Sequence, residues 1–252
     1  MKGTIFQKPL EFQIRIDGET WNQGDRVSGE LTIKNHGPEP VPLSAVKVLL
    51  AHGGLKKVHA RAVGAFKVQS QTSITEPEKL APTGETVFPW FFPLDRNSPV
   101  SDNSASLFLV YGQCDVLEKA GQLQLNVQPF AIIQEFLKTL EIDFRFVRKN
   151  QKALKAGLEV KLDPPDSRSF SSVDQLALNF RFEEETIHIH YVFHIRKVEP
   201  TATSAEVTKQ TRELEQQLEK NHYTLPSGRP NHAAMASSIR EALDLVESKV
   251  LF

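Results

Sequence analysis

Three histidines stand close together in the segment EEETIHIHYVFHIRK, which runs from Glu183 to Lys197. They are His188, His190 and His194. Histidine is the commonest side-chain ligand of transition metals and a frequent general base, so this spacing is compatible with a metal site or a catalytic cluster. The alternative is one polar face of an ordinary β-strand, because the residues between the histidines are mostly apolar and repeat with a period of two.

Strand geometry distinguishes these interpretations. Most apolar residues of the stretch 187–195 have odd numbers, whereas most of those in the preceding stretch 176–182 have even numbers. An antiparallel hairpin with a four-residue loop at 183–186 brings both apolar sets to one face. In this register Phe182 faces Ile187, and the histidines lie on the opposite, polar face.

The polar face of this hairpin holds the histidines together with Gln175, Asn179 and Arg181. At about 3.3 Å per residue, His188 and His190 lie roughly 7 Å apart and His194 about 13 Å further on, so the three cannot reach one ion. Arg181, opposite His188, disfavours both a protonated imidazole and a bound cation. We therefore predict no catalytic, cofactor-binding or metal-binding residue. A metal-binding module or metal-dependent enzyme that uses His188 and His190 is the alternative function.

A second group of residues is suited to binding anions. No Asp or Glu occurs between Pro40 and Thr75, whereas Lys56, Lys57, Arg61 and Lys67 fall within this stretch. Such a surface suits an acidic or phosphorylated protein partner, or anionic lipid headgroups at a membrane surface. The alternative is a solvated loop whose charges are balanced by neighbours in space. These four cations are the predicted partner-binding residues.

Composition narrows the class of protein. The 252-residue chain has a net charge of -1, which lacks the basic excess of a nucleic-acid-binding protein. Cys114 is the only cysteine, which excludes an intrachain disulfide and a cysteine metal cage and indicates a reducing compartment. The sequence contains no P-loop, dinucleotide fingerprint, G-x-S-x-G or H-E-x-x-H motif, and no signal peptide or long apolar run. We expect a soluble, cytoplasmic protein that is not an enzyme.

The elements that position these residues are mostly strands. Short runs with period-two alternation, separated by Gly and Pro, fill the stretch 10–128 and predict a β-sandwich. After Pro129 the segment FAIIQEFLKTL has helical spacing, and this is the best candidate for a domain junction. Further strands follow to about residue 200. The segments 205–221 and 233–250 then each carry an apolar stripe at helical spacing, which predicts a helical hairpin.

We therefore predict a mainly β protein with three parts. They are an N-terminal sandwich over residues 1–128, a C-terminal β-sandwich-like domain over residues 129–200 and a helical hairpin over residues 201–252. The apolar stripes of the hairpin dock either on the sandwich or on another chain. In the second case the helices make a homo-oligomer.

Two stretches of the first half resemble the arrestin-like superfamily, whose members share a pair of β-sandwiches. The stretch ETWNQGDRVSGELTIKN is similar to its aromatic-x-P-G-D-x-V-x-G pattern, with Gln23 where proline is usual. The stretch GETVFPWFFPLDRNSPVSDNSASLFLVYGQCDV is similar to its F-x-F-x-hydrophobic-P arrangement. The matching places are held by Trp90, Phe92, Pro99 and Tyr111.

The second half looks most like the bacterial sporulation-control branch of that superfamily. Leu125, Val127 and Pro129 match a strand end that leads into a short helix, and Ile142 and Asp143 replace the glycine region expected after it. The resemblance covers roughly residues 10–198. It implies two sandwich domains and a non-enzymatic adaptor or regulatory scaffold that binds a protein partner, with no catalytic residue to transfer.

Overall fold

The computed structural model describes residues 1–74, 76–154, 157–167, 170, 172–200 and 205–247. The chain forms two compact units, of which the first is Met1–Gln128 and the second begins at Pro129. Strands dominate both units, so the predicted mainly β fold is confirmed. No helix in the described ranges has the length and apolar character needed to cross a membrane.

The first unit is a sandwich of two antiparallel sheets. Its strands in chain order are β1 (Lys2–Gln7), β2 (Leu10–Ile16), β3 (Thr20–Asn22), β4 (Arg26–Asn35), β5 (Val41–Pro42), β6 (Val46–Gly54), β7 (Phe66–Ser73), β8 (Lys79–Leu80), β9 (Glu85–Pro93), β10 (Ala105–Gln113), β11 (Gly121–Gln124) and β12 (Asn126–Gln128). Helix α1 (Leu55–His59) connects β6 to β7, and a 3₁₀ helix (Leu117–Lys119) precedes β11. The sheet orders are β1-β2-β4-β9 and β11-β10-β6-β7.

The alternation of apolar residues gives the second sheet of this sandwich two buried faces. On the inner face, Val48 of β6 and Leu107 of β10 join the main core with Phe12 of β2. On the outer face, Leu49 of β6 and Phe108 of β10 belong to a smaller cluster that also contains residues of α1. Because successive strand residues point to opposite faces, the nearly continuous apolar runs of β6 and β10 supply both clusters.

The second unit is one antiparallel sheet with helices on one face. Its elements are α2 (Ala131–Ile142), β13 (Val147–Leu154), β14 (Gly157–Asp163), β15 (Val173–Glu183), β16 (Thr186–Pro200), β17 (Ala205–Leu218), α3 (Lys220–Tyr223) and α4 (His232–Glu247). The five strands lie in sequential order. Phe136 of α2 packs edge-to-face on Phe180 of β15 at 5.6 Å, and the Gln216 amide of β17 donates to the Ser238 carbonyl of α4 at 3.2 Å. The helices thus occupy the place that a second sheet takes in a sandwich.

The prediction of a helix over 205–221 is wrong, because Ala205–Leu218 forms β17. This strand pairs with β16 from Ile187 opposite Leu218 to Pro200 opposite Ala205. Its Glu, Gln and Leu content favours helix, but that preference amounts to less than about 0.7 kcal/mol per residue, and extended pairing along β16 outweighs it. The predicted hairpin is therefore a strand followed by the helix α4.

The prediction of a helix over 233–250 is confirmed within the described residues, where α4 spans His232–Glu247. The predicted end of this helix, at residues 248–250, lies outside them. The apolar side of α4 is buried within the chain through Met235, Ile239 and Leu243. These side chains therefore stabilise the second unit itself.

Candidate functional site

The predicted partner-binding residues lie in one connection of the first unit, the stretch 56–67, which we call the basic segment. Lys56 and Lys57 belong to α1, Arg61 follows this helix, and Lys67 is on β7. All four side chains are exposed. Because β6 and β7 are antiparallel neighbours in the sheet, the connection between them begins and ends at the same end of the strand pair.

One apolar side chain of α1 holds the basic segment against the sheet. Val58 is 2% exposed and belongs to the outer-face cluster with Ala51 and Phe108. Its neighbours in sequence, Lys56 and Lys57, are exposed, so this short helix is amphipathic. The packing of Val58 thus determines which side of α1 presents positive charge to solvent.

The backbone turns sharply after α1. The amide of Ala62 donates to the carbonyl of Lys57 at 3.0 Å, and Arg61 adopts a left-handed conformation with a φ of 48°. The Arg61 guanidinium donates to the Glu118 carbonyl at 3.5 Å, a long bond to a neutral group. In the part of the chain that the structure describes, neither Arg61 nor the lysines of α1 form a salt bridge with an acidic side chain.

His52 lies next to the basic segment, on β6 directly opposite Lys67. Burial lowers the pKa of His52; Asp102 raises it and Lys67 lowers it further. The Nε2 atom of His52 is buried and makes no hydrogen bond within the described residues. A neutral imidazole is therefore favoured at this position, because a charged ring would be partly desolvated beside a lysine.

The predicted β15–β16 hairpin is confirmed in its register. Phe182 lies opposite Ile187 and Arg181 opposite His188. The loop is shorter than the four residues predicted: Glu183 pairs with Thr186, so only Glu184 and Glu185 form the turn. The apolar partners of the histidines build the core of the second unit, as the parity of the sequence indicated.

Each histidine of the β16 strand has a different neighbour. The Nε2 atom of His188 lies 3.2 Å from a carboxylate oxygen of Glu183, and that of His190 lies 3.1 Å from Glu213 on β17. His194 is exposed and sits opposite Gln175. A search of the described residues for three or more His, Cys, Asp or Glu side chains placed to hold a metal finds none. The alternative metal function therefore has no ligand set in this part of the chain.

Sequence reasoning missed the role of β17 on the histidine face. The sequence predicted a helix over 205–221, whereas the strand found there places Glu215 directly opposite His190. A cavity of about 320 Å³ opens on this face, with His188, His190 and Glu215 in its lining. The odd numbers shared by Thr211, Glu213, Glu215 and Gln217 are the signal that could have revealed this face.

Cys114 has the properties of a structural thiol. Its sulfur lies 3.3 Å from the carbonyl of Gly112, and burial raises the pKa of the thiol to about 11. A thiol with such a pKa is almost entirely protonated near neutral pH and is a poor nucleophile.

Comparison with solved structures finds a similar architecture along nearly the whole chain. The crystal structure of the sporulation control protein Spo0M from Bacillus subtilis matches with a TM-score of 0.66 and 13% identity, over 95% of this chain and 99% of that one. This chain has the fold of Spo0M. The similarity of fold that the sequence resemblance implied is therefore confirmed.

Other solved structures match only about half of the chain. An alkylpurine DNA glycosylase, AlkC from Pseudomonas fluorescens, gives a TM-score of 0.30 at 12% identity over 48% of this chain and 30% of its own. A β-glucosidase from Listeria innocua gives 0.32 at 11% identity over 48% of this chain and 16% of its own. These scores are too low to indicate a shared fold. Known protein families and curated proteins give no match to the sequence.

Proposed function

We propose that this protein is a cytoplasmic, non-enzymatic regulatory protein that binds an anionic partner through the basic segment. The observation that carries the proposal is the exposure of Lys56, Lys57 and Arg61 on one connection and of Lys67 at the start of β7. This connection lies within the stretch 40–75, which has no acidic residue. An anionic partner that approaches these cations therefore meets no carboxylate from the same stretch of chain.

The fold supports the regulatory part of the proposal. Spo0M is a sporulation control protein, and the two chains share their architecture along nearly their full lengths. The large pKa changes found in this protein have a structural cause. Burial alone raises the pKa of the Tyr111 phenol to about 12, and burial is the main cause of the shift at Cys114. Neither group is tuned towards neutral pH, which is where a catalytic acid or base is useful.

Electrostatic attraction predicts how the partner should bind. Each exposed Lys or Arg contributes roughly 1 kcal/mol or less to attraction by an anionic surface, and salt screens such charges over about 8 Å at physiological ionic strength. Several cations on one connection therefore produce a binding energy that falls steeply as salt is added. A partner held by apolar contacts would respond much less.

The test is affinity capture from the native cell with a charge-matched control. One variant replaces Lys56, Lys57 and Arg61 with Ala, and the control replaces the exposed residues Lys138, Lys152 and Lys209 of the second unit, which changes the net charge by the same amount. We expect the captured partner to be lost from the first variant and kept by the control. Capture that is unchanged in the first variant would contradict the proposed function.

A further inference from the structure

We propose that the anionic partner supplies an extended acidic segment of polypeptide, which adds to the free edge of β7 as an additional strand. This inference rests on the proposed function, because the basic segment leads directly into β7. It names the form in which the partner binds. Main-chain hydrogen bonds along the edge supply affinity, and the cations select an acidic sequence.

Strand β7 is an edge strand with both faces exposed. In the sheet order it follows β6 and has no described neighbour on its other side. The side chains of the stretch 67–71 and of Ser73 are exposed, which includes Val68 at 42%. A strand that is exposed on both faces and along one edge has room for another strand beside it.

The main chain of β7 offers hydrogen-bonding groups along this edge. The amide of Ile74, just after the strand, donates to the carbonyl of Val46 at 3.4 Å and so points towards β6. In antiparallel pairing the N–H and C=O groups of alternate residues point to opposite sides. Gln71 and Ser73 therefore direct their main-chain groups away from β6, towards the free edge.

Three other edge strands, β9, β13 and β17, carry features that discourage pairing with a further strand. Strand β9 contains Pro89 and Pro93, and β13 carries Arg148, Lys149 and Lys152. Strand β17 carries Lys209, Arg212, Glu213 and Glu215. Prolines and charges at such positions are the usual protection of an edge. In β7 the stretch 70–73, SQTS, contains neither, and the bulge of this strand lies before it, at Gln69.

The charges near β7 indicate which polypeptide would bind. Lys67 lies on the strand itself, and Lys56 and Lys57 lie before it in the connection from β6. The Arg61 guanidinium instead donates to the Glu118 carbonyl next to β11, at the other edge of the sheet. A segment that pairs along the stretch 70–73 therefore extends towards positive charge at one end. A lipid surface would instead use these cations and the apolar side chain of Val63, which is 91% exposed, without using the edge of β7.

The experiment measures binding of a defined peptide by fluorescence anisotropy. The probe is a labelled peptide of alternating Thr and Glu, and its twin carries N-methyl groups on alternate amides, which keeps the charge but prevents pairing as a strand. The protein variants are Gln71→Pro, which removes an outward-pointing amide, and Gln71→Ala, which keeps it. Proline is tolerated on the free side of edge strands, and circular dichroism will report whether Gln71→Pro is folded.

We expect the wild-type protein to bind the peptide and not its twin. The peptide affinity should fall about tenfold in Gln71→Pro, because a main-chain hydrogen bond and the local strand geometry are lost, and should stay within about twofold in Gln71→Ala. It should also fall in the variant that lacks Lys56, Lys57 and Arg61. The comparison of the peptide with its N-methylated twin uses the wild-type protein. It therefore tests strand addition even if Gln71→Pro does not fold.

Three results would overturn the inference. Equal binding of the peptide and its twin would show an anion site without strand addition, and the proposed function would stand. A second such result is that the protein binds phosphatidylserine vesicles through Lys56 and Lys57 but does not bind the peptide. This result would show a lipid partner and would also leave the proposed function standing. Binding of neither probe by the wild-type protein would contradict the inference and the proposed function together.

Discussion

Replacing Val58 with Ala should destabilise the first unit, whereas replacing its neighbour Lys57 with Ala should not. Val58 is 2% exposed and packs in the outer-face cluster, while Lys57 is exposed. Removal of two buried carbon atoms costs about 1.6 kcal/mol in transfer free energy, and the cavity left behind raises the loss to about 2–3 kcal/mol. The Lys57 variant should change the free energy of unfolding by less than about 0.5 kcal/mol.

Tryptophan fluorescence during urea unfolding is the appropriate assay. The two tryptophans of the chain, Trp21 and Trp90, are 5% and 4% exposed and both lie in the core of the first unit. Their emission therefore reports unfolding of the unit that carries α1. Equal losses in the two variants, or no loss in Val58→Ala, would refute the packing that we derive for the basic segment.

Three further predictions concern other parts of the chain. Phe136→Ala should cost about 3–5 kcal/mol, measured by thermal unfolding, since the ring is buried against Phe180. Because the pKa of His52 is lowered from 6.5 in the folded state, the unfolded state binds its proton first. Stability should therefore fall as the pH drops below about 6.5, and this loss should be smaller in His52→Gln, as urea unfolding at several pH values will show. Cys114, with a pKa of about 11, should react slowly with a thiol reagent at pH 8 and rapidly in urea; fast reaction of the native protein would contradict its burial.

The β15–β16 hairpin could be predicted because its determinants are local. The change from even to odd parity at Glu183 fixes both the turn and the register, and the observed pairing of Arg181 with His188 follows from it. The same parity showed that the histidines are spread along one face. No information from distant parts of the chain was needed.

Strand β17 could not be predicted because its local signals do not separate helix from strand. Leu214 and Leu218 are four residues apart, a spacing that puts them on one side of a helix and also on one face of a strand. What decides the outcome is the pairing of this segment along β16, from Leu218 opposite Ile187 onwards. This partner strand, β16, precedes the segment in the chain, so the segment alone does not reveal the pairing.

For the basic segment, too, one feature could be predicted from neighbouring residues and another could not. The cluster of Lys56, Lys57 and Arg61 is visible in the sequence because these residues lie on one connection. The free edge of β7 is not, because the order of strands in the sheet is set by the pairing of β6 with β10 and β7. Only the structure relates the cations to an unprotected edge.

The most direct test of the basic segment places a photoreactive amino acid at the position of Lys57 and, as a control, at the position of Lys152 in the second unit. Both lysines are exposed, so either substitution leaves the core intact. Irradiation in the native cell should yield a covalent adduct with a partner from position 57 and not from position 152. Adducts from position 152 alone would contradict the central claim that the basic segment is the partner-binding surface.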